Sequence, residues 1–249
     1  MKFTIFGYGF VGKAHEMMLK EKHDVTVVDP AFNDNTIGKP DAVIVAVSTP
    51  QSIDGSCNMN NVFSVLKQCP KNVPILIKST ISLEGWRQIL ERFPKLNVTF
   101  SPEFLRAETA LEDFANAEAF YFGGGDDVFW ASIFWQEGRK MYSRDPEELI
   151  MMKYAVNSFL ATKVAFFNQL FDLCEASGVE YNNVKQLVSR DKRIGDSHMD
   201  ITKERGFGGH CFPKDTTALL VTSKINETEM SILRAAVDYN YEIRGLDND

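Results

Sequence analysis

The sequence predicts a doubly wound α/β domain with a parallel sheet, followed by an all-helical domain built on one long helix. Three observations carry this prediction. Short apolar runs alternate with helix-length segments over residues 1–144. A glycine-rich turn joins the first apolar run to the first helical segment. From Asp145 the alternation stops, and residues 146–177 read as one uninterrupted helix. The domains are accordingly placed at 1–144 and 145–249.

Lys2-Phe3-Thr4-Ile5-Phe6 reads as a buried strand, and Gly7-Tyr8-Gly9-Phe10-Val11-Gly12 follows at once. A helix is expected from about Val11 to Lys22, then a strand Val25–Val28 that ends at Asp29. Strand, GxGxxG, helix, strand and acid make the Rossmann-like dinucleotide fingerprint in its proper context. Gly7 allows the tight turn, Gly9 lets a pyrophosphate approach, and Gly12 permits close helix–strand packing. Phe10 and Val11 open the helix whose N-terminus faces that pyrophosphate. Asp29 stands 17 positions after Gly12, near the ~20 expected of a carboxylate on the ribose 2′-hydroxyl. It would repel a 2′-phosphate, so NAD is favoured over NADP. The competing reading, glycines as turn punctuation, does not account for the flanking elements.

A polar link from Pro30 to Pro40 leads to a strand over Ala42–Val47 and then to Ser48-Thr49-Pro50. A helix over Asn58–Gln68 precedes a strand over Pro74–Lys78, which ends at Ser79-Thr80. A helix over Leu83–Phe93 precedes a strand over Asn97–Phe100, which ends at Ser101-Pro102-Glu103-Phe104-Leu105. Ala119–Phe122 is a further strand before the turn Gly123-Gly124-Gly125. Ser48, Thr49, Ser79 and Thr80 could each cap a helix. Their recurrence at consecutive strand ends favours a cofactor crevice, because open α/β sheets bind ligands at their carboxyl edge.

Asp145 as N-cap, Pro146 at the first helical position and Glu148 in the first turn mark a helix start, and Gly178 marks its stop. The span 146–177 would be ~48 Å long at ~1.5 Å per residue. Leu149, Val156, Phe159, Leu160, Val164, Phe166, Phe167, Leu170 and Phe171 spread around much of it, so it needs partners on more than one side. A homodimer through this helix is expected. Lys153 and Asn157 share one of its faces; taken alone, a solvated lysine beside a neutral neighbour describes them equally well. A short helix over Tyr181–Arg190 and a charge-rich loop containing Arg193 follow. In Gly206-Phe207-Gly208-Gly209-His210-Cys211-Phe212-Pro213-Lys214-Asp215, three glycines allow close backbone approach. Pro213 starts a helix that runs to about Ser223, and Cys211 stands just outside it, where partial positive charge suits an anionic sulfur. A last helix runs from about Glu229 to Arg244.

Composition excludes several classes. Hydrophobic content of 44% and charged content of 24% are those of an ordinary globular protein. A net charge of −7 argues against nucleic acid or an anionic membrane as main partner. No apolar run is long enough to span a bilayer, and the strand at the very start leaves no room for a signal peptide. Cys57, Cys69, Cys174 and Cys211 lack metal-ligand spacing, which fits free thiols in the cytoplasm and gives no metal site.

The segments GYGFVG at 7–12, SPEFL at 101–105, KYAVNSFLATKVAFFN at 153–168, DKRIG at 191–195 and GFGGHCFPKD at 206–215 occur in that order. Together they resemble the UDP-glucose/GDP-mannose dehydrogenase family over essentially the whole chain. The resemblance implies a four-electron oxidation of a nucleotide sugar C6 alcohol to the uronate, with two NAD, and UDP-glucose as the expected substrate. It implies that Cys211 forms a thiohemiacetal and then a thioester, and that Lys153 and Asn157 stabilise the oxyanion. Glu103 would serve thioester hydrolysis, with Thr80 and Asp215 positioning water or moving a proton. Phe104, Leu105, Phe207 and Gly208 would line the substrate, and Arg193 would reach it from a neighbouring subunit. Three departures stand out. The link from Asp29 to Ala42 is short, so a helix and a strand of the NAD domain are expected to be missing. Ala107-Glu108 replaces the family's Glu-Gly. Family members also continue beyond this point into a second Rossmann-like domain. Two other readings remain: a non-catalytic or regulatory subunit that keeps the fold, and a related β-hydroxyacid dehydrogenase, against which the cysteine motif speaks.

Overall fold

Five of the apolar runs become one parallel sheet. In the computed structural model, which describes residues 1–32 and 36–245, these are β1 (Lys2–Phe6), β2 (Asp24–Val28), β3 (Ala42–Val45), β4 (Pro74–Ile77) and β5 (Asn97–Phe100). They lie in the order β2-β1-β3-β4-β5, all parallel. β3 is buried at every position and β1, β4 and β5 at every position but the first, the continuous burial expected of strands covered on both faces. β2 alternates because it is an edge. A six-stranded 3-2-1-4-5-6 sheet that loses its outermost strand 3 renumbers to this order. Among the described residues no helix or strand lies between β2 and β3, in keeping with the short link. The order reverses between β1 and β3, so their carboxyl ends flank the crevice where such sheets take ligands.

The chain divides into two compact units, residues 1–52 with 57–153 and residues 53–56 with 154–249. The first contains the sheet and α1 (Phe10–Leu19), α2 (Asn60–Leu66), α3 (Leu83–Arg92), α4 (Ala110–Ala115) and α5 (Asp127–Phe134). α1 is shorter than expected: it closes at Lys20, whose N–H bonds the Glu16 carbonyl. α4, α5 and the strand β7 (Lys140–Ser143) were not foreseen from sequence. α5 is short and apolar nearly throughout, so periodicity does not reveal it; its start is set by Asp126, which accepts the Phe129 N–H at 3.0 Å. Its Trp130 and Phe134 are fully buried and complete a core with Phe3, Phe114, Phe120 and Phe122. The expected strand β6 (Ala119–Phe122) is present but pairs in parallel with β7 and touches the main sheet only through an antiparallel bridge between Phe100 and Gly123. β6 and β7 therefore form a separate two-stranded sheet beside the five-stranded one.

α6 (Pro146–Ser177) has the expected bounds. Asp145 accepts the Glu147 N–H on its carboxylate at 2.8 Å and the Leu149 N–H on its carbonyl at 3.1 Å, which is the N-cap read from sequence. The division of the chain falls inside this helix, after Lys153, whereas the sequence places the boundary at the helix start; an unbroken helix offers no linker at which to cut. The second unit holds the rest of α6 with α7 (Tyr181–Ser189), α8 (Phe212–Ile225) and α9 (Ser231–Arg244). Phe167, Cys174, Tyr181 and Met199 form a buried cluster there, and the Tyr181 hydroxyl donates to the Met199 carbonyl at 2.6 Å. Val156, Phe159, Phe166 and Leu173 stay exposed on the same helix, with Phe159 at 70% and Leu173 at 62%.

The crossing of α1 over the first strand is the tightest point of the first unit. A Cβ added at Gly12 would lie 2.0 Å from the Gly7 carbonyl oxygen, backbone that has no room to retreat. Gly12→Ala is expected to destabilise the first unit by about 1–3 kcal/mol, the usual range for overpacking. A urea unfolding midpoint equal to that of wild type would contradict it.

Candidate functional site

The glycine turn has the geometry its sequence requires. Gly7 has φ +93°, and a Cβ there would stand 2.5 Å from the Ala46 carbonyl oxygen. Its N–H bonds the Val28 carbonyl at 3.0 Å, which ties the turn to the end of β2. An added Cβ at Gly9 meets no atom within 4 Å, and no side chain caps α1 at this N-cap position. The first turn carries no acidic residue, and Phe10 and Val11 supply its first amides. A helix N-terminus left open in this way accepts an anion such as a pyrophosphate. Asp29 lies at the end of β2 and accepts N–H groups from Tyr8 at 2.7 Å and Ala31 at 2.9 Å, which fix its carboxylate beside the turn. These residues fit a dinucleotide.

Ser48, Thr49, Ser79 and Thr80 cap no helix. α3 is capped by Ser82, which accepts the Gly85 N–H at 3.0 Å, and Met59 precedes α2 without a side-chain cap. Thr49 Oγ1 instead donates to the Thr80 carbonyl at 2.7 Å, and Ser79 Oγ to the Val47 carbonyl at 2.7 Å. Ser48 accepts from Asn61 Nδ2 on its carbonyl at 3.0 Å. Thr49, Ser79 and Thr80 lace the ends of β3 and β4 together at the carboxyl edge of the sheet, and Ser48 ties that edge to α2.

Glu103 stands in the segment leaving β5. Its Oε2 pairs with Lys78 Nζ at 3.2 Å, and its Oε1 accepts the Phe104 N–H at 2.9 Å. Lys153 Nζ donates to the Glu103 carbonyl at 2.5 Å and lies 4.9 Å from the centre of the Phe104 ring. Leu105 is buried below. Burial alone would raise the Glu103 carboxyl, but Lys78, then His15 and the Phe104 N–H, hold it below the ordinary carboxylate range. Lys78 escaped the sequence reading. The signal was there: a lysine directly after the apolar run Pro74-Ile75-Leu76-Ile77 must find buried partners.

In the second unit Cys211 is the N-cap residue of α8 and is half-buried; the helix begins at Phe212, so Pro213 takes its second position. The Asp215 N–H closes the first turn onto the Cys211 carbonyl at 2.8 Å. Asp215 is fully buried, where it accepts Asn157 Nδ2 at 2.6 Å and pairs with Lys214 Nζ at 2.5 Å. Two asparagines missed in the sequence hold the glycine loop in place. Asn168 Oδ1 accepts the Gly206 N–H at 3.1 Å, and Asn240 Oδ1 accepts the Phe207 N–H at 2.6 Å. A cavity of about 200 Å³ opens against Phe207, Gly208, Gly209, Pro213, Asn240 and Arg244. Arg193 is exposed and clasped by Asp191, with Nη2 to Oδ2 at 2.6 Å. Asn157, Asp215, Phe207 and Gly208 thus belong with Cys211. Glu103, Phe104, Leu105, Lys153, Thr80 and the glycine turn belong to the first unit. No cluster of His, Cys, Asp and Glu suited to a metal occurs among the described residues, and no described helix is long and apolar enough to cross a membrane.

Comparison with known proteins converges on one family. Residues 30–143 match the model of the UDP-glucose/GDP-mannose dehydrogenase family NAD binding domain, and residues 147–242 match that family's central domain. The chain is 32% identical over 227 residues to a UDP-glucose 6-dehydrogenase of Rickettsia bellii (strain RML369-C), covering 85% of this chain and 52% of that protein. It is 28% identical over 240 residues to UDP-glucose 6-dehydrogenase YwqF of Bacillus subtilis (strain 168), covering 90% and 54%. The chain thus spans about half the length of these curated relatives. Among solved structures, a UDP-glucose dehydrogenase from the hyperthermophilic archaeon Pyrobaculum islandicum superposes with a TM-score of 0.86 at 26% identity, covering 97% of this chain and 68% of that one. A 3-hydroxyisobutyrate dehydrogenase of Mycobacterium tuberculosis shares the fold, with a TM-score of 0.76 at 14% identity over 98% and 94%. The NAD binding domain and the central domain of one family are both matched, and the chain belongs to the UDP-glucose/GDP-mannose dehydrogenase family.

Proposed function

We propose that the protein oxidises the C6 alcohol of a nucleotide sugar to the carboxylate, with UDP-glucose as the substrate and UDP-glucuronate as the product. The observation that carries this reading is the half-buried Cys211 at the start of α8, flanked by a glycine loop and by the buried Asn157–Asp215 pair. A reaction that oxidises once needs no such thiol, so the related β-hydroxyacid dehydrogenases, although alike in fold, are the weaker reading.

NAD, bound at Gly7, Gly9, Phe10, Val11 and Gly12 with Asp29 on the ribose and Ser48, Thr49, Ser79 and Thr80 along the crevice, would supply the hydride acceptor. The chain's own residues take the remaining steps. Lys153 and Asn157 donate to the oxygen on which negative charge develops, as preorganised donors do. Cys211 adds to the aldehyde carbon and retains it as a thiohemiacetal, which becomes a thioester after the second oxidation. Glu103 accepts a proton from the attacking water, with Thr80 and Asp215 orienting water and relaying protons. Phe104, Leu105, Phe207 and Gly208 line the sugar nucleotide.

A homodimer through residues 146–177 is part of the proposal. Phe159, Phe166 and Leu173 recur every seventh residue and are all exposed, a stripe that a second copy of α6 would cover. Arg193 would reach the substrate of the partner subunit. The four cysteines are free thiols, which supports a reducing compartment such as the cytoplasm.

Incubation with NAD and UDP-glucose should yield two NADH per sugar consumed. No NADH with any nucleotide sugar, despite measurable NAD binding, would sink the enzyme reading and leave the non-catalytic subunit. Cys211→Ser should abolish uronate formation, and an undiminished yield would refute the covalent role. Gly9→Ala should leave the unfolding midpoint close to wild type while weakening NAD binding about tenfold or more, since its Cβ would enter the open space above the turn; equal affinity by calorimetry contradicts the pyrophosphate assignment. Phe166→Glu should convert the dimer to monomer in sedimentation velocity, and wild-type protein that sediments as a monomer at micromolar concentration removes the dimer from the proposal.

A further inference from the structure

Lys78 follows β4 directly, and its side chain is 1% exposed. An ammonium so deep is tolerated only when its protons are used. Nζ donates to Ser101 Oγ at 3.0 Å and to the Pro102 carbonyl at 3.1 Å, and it pairs with Glu103 Oε2 at 3.2 Å. Two hydrogen-bond acceptors and one carboxylate oxygen in ion-pair contact, on three consecutive residues, surround one ammonium. Mere charge neutralisation would need only the carboxylate. Here a single group grips side chain, backbone and carboxylate of the segment that leaves β5. Other donors grip Glu103 at its remaining atoms: the Phe104 N–H at Oε1 and Lys153 Nζ at the carbonyl. The carboxylate has little freedom left to turn.

We propose that Lys78 is a positioning residue for Glu103: its Nζ pins residues 101–103 to the end of β4 and holds the Glu103 carboxylate in one orientation. The consequence for catalysis rests on the role given to Glu103 above; the positioning itself does not.

Three titratable groups face Lys78: Glu103 from the segment after β5, Lys153 from α6 and His15 from α1. Burial pushes the Lys78 ammonium down, and Glu103 opposes this while Lys153 adds to it. His15 is fully buried, with Nδ1 2.8 Å from the Val11 carbonyl. Burial, and then Lys78, bring it down to about 4, so it is neutral above that pH and leaves Lys78 as the cation on the carboxylate. Glu103 itself is held low in the folded state. Its pairing therefore adds stability above the titration range of an unfolded carboxylate, and that stability is lost as pH falls through the folded-state value. Without Lys78, burial acts on Glu103 with its main cation removed, and its titration must move up.

The test is a carboxyl ¹³C NMR titration of protein labelled at glutamate, with the Glu103 resonance identified by its loss in Glu103→Gln. In Lys78→Met the Glu103 midpoint should rise by about one pH unit or more, and Lys78→Arg should restore most of the difference. An unchanged midpoint in folded Lys78→Met overturns the proposal. If Lys78→Met does not fold, Glu103→Gln supplies the reciprocal measurement. The Lys78 ammonium, followed by ¹⁵N NMR, should titrate at lower pH than in wild type, and an unaltered titration overturns the proposal equally. In single turnovers with UDP-glucose, the pH for half-maximal uronate release should rise in Lys78→Met together with the carboxyl midpoint. A lysine that only braces the loop would lower release alike at all pH values. Wild-type protein that turns over no nucleotide sugar removes the catalytic role of Glu103, while the NMR titrations still decide the role of Lys78.

Discussion

The first unit depends on a backbone contact that only glycine permits. Gly12 of α1 rides on the Gly7 carbonyl, with 2.0 Å left for a Cβ, and Gly7 itself presses on the Ala46 carbonyl with 2.5 Å left. The turn is thus held between the first turn of α1 and the exit of β3. The sheet order reverses between β1, which leads into the turn, and β3. The closeness that brings α1 to the sheet is the same closeness that opens its N-terminal amides at the crevice. Asp29 completes the arrangement from β2 by accepting the Tyr8 N–H. The glycine turn and the Asp29 carboxylate are therefore tied together by the Gly7–Val28 backbone bond and the Tyr8 N–H.

Lys78, Lys153, Asn157 and Asp215 are buried polar groups of the candidate site, and burial is the reason for their pairings. An ion pair inside a protein gives little net stability over well-packed apolar side chains, whereas a single unpaired buried charge is strongly unfavourable. Lys78 with Glu103 and Lys214 with Asp215 are therefore poor explanations of stability and better explanations of chemistry. Both acids are also engaged by a neutral donor, the Phe104 N–H in one case and the Asn157 amide in the other. A carboxylate held in this way keeps its direction, which is what a proton acceptor at a reacting centre requires.

Much of this was legible in the sequence, for reasons that also explain what was not. β3 and β4 are continuous apolar runs bounded by turns, which parallel strands covered on both faces must be, while β1 and β5 interleave Thr4 and Thr99 with apolar residues. α6 announced itself through Asp145, Pro146 and Gly178, each with its own backbone reason. α4, α5 and β7 were hidden because they are short, and a segment as apolar as Asp127–Phe134 has no period to read. The split of β6 from the main sheet hinges on a backbone bridge at Gly123, which composition cannot report. In the site, glycines, Cys211 and the acids could be named by type and context. Lys78, Asn168 and Asn240 could not, because their work is to hold other residues, and sequence shows a side chain without the atom it reaches.

Within the second unit α6 joins two features that the sequence lists separately. Lys163 Nζ donates to the Ile194 carbonyl at 2.9 Å, which anchors the loop bearing Arg193. Asp191 grips Arg193 through Nε and Nη2, so Nη1 is the edge not engaged by that carboxylate, on a side chain 89% exposed. Lys163 lies four residues after Phe159 and three before Phe166, hence on the flank of the exposed apolar stripe. Asp191 does not bury the guanidinium; it fixes one edge of the planar group and leaves the other exposed.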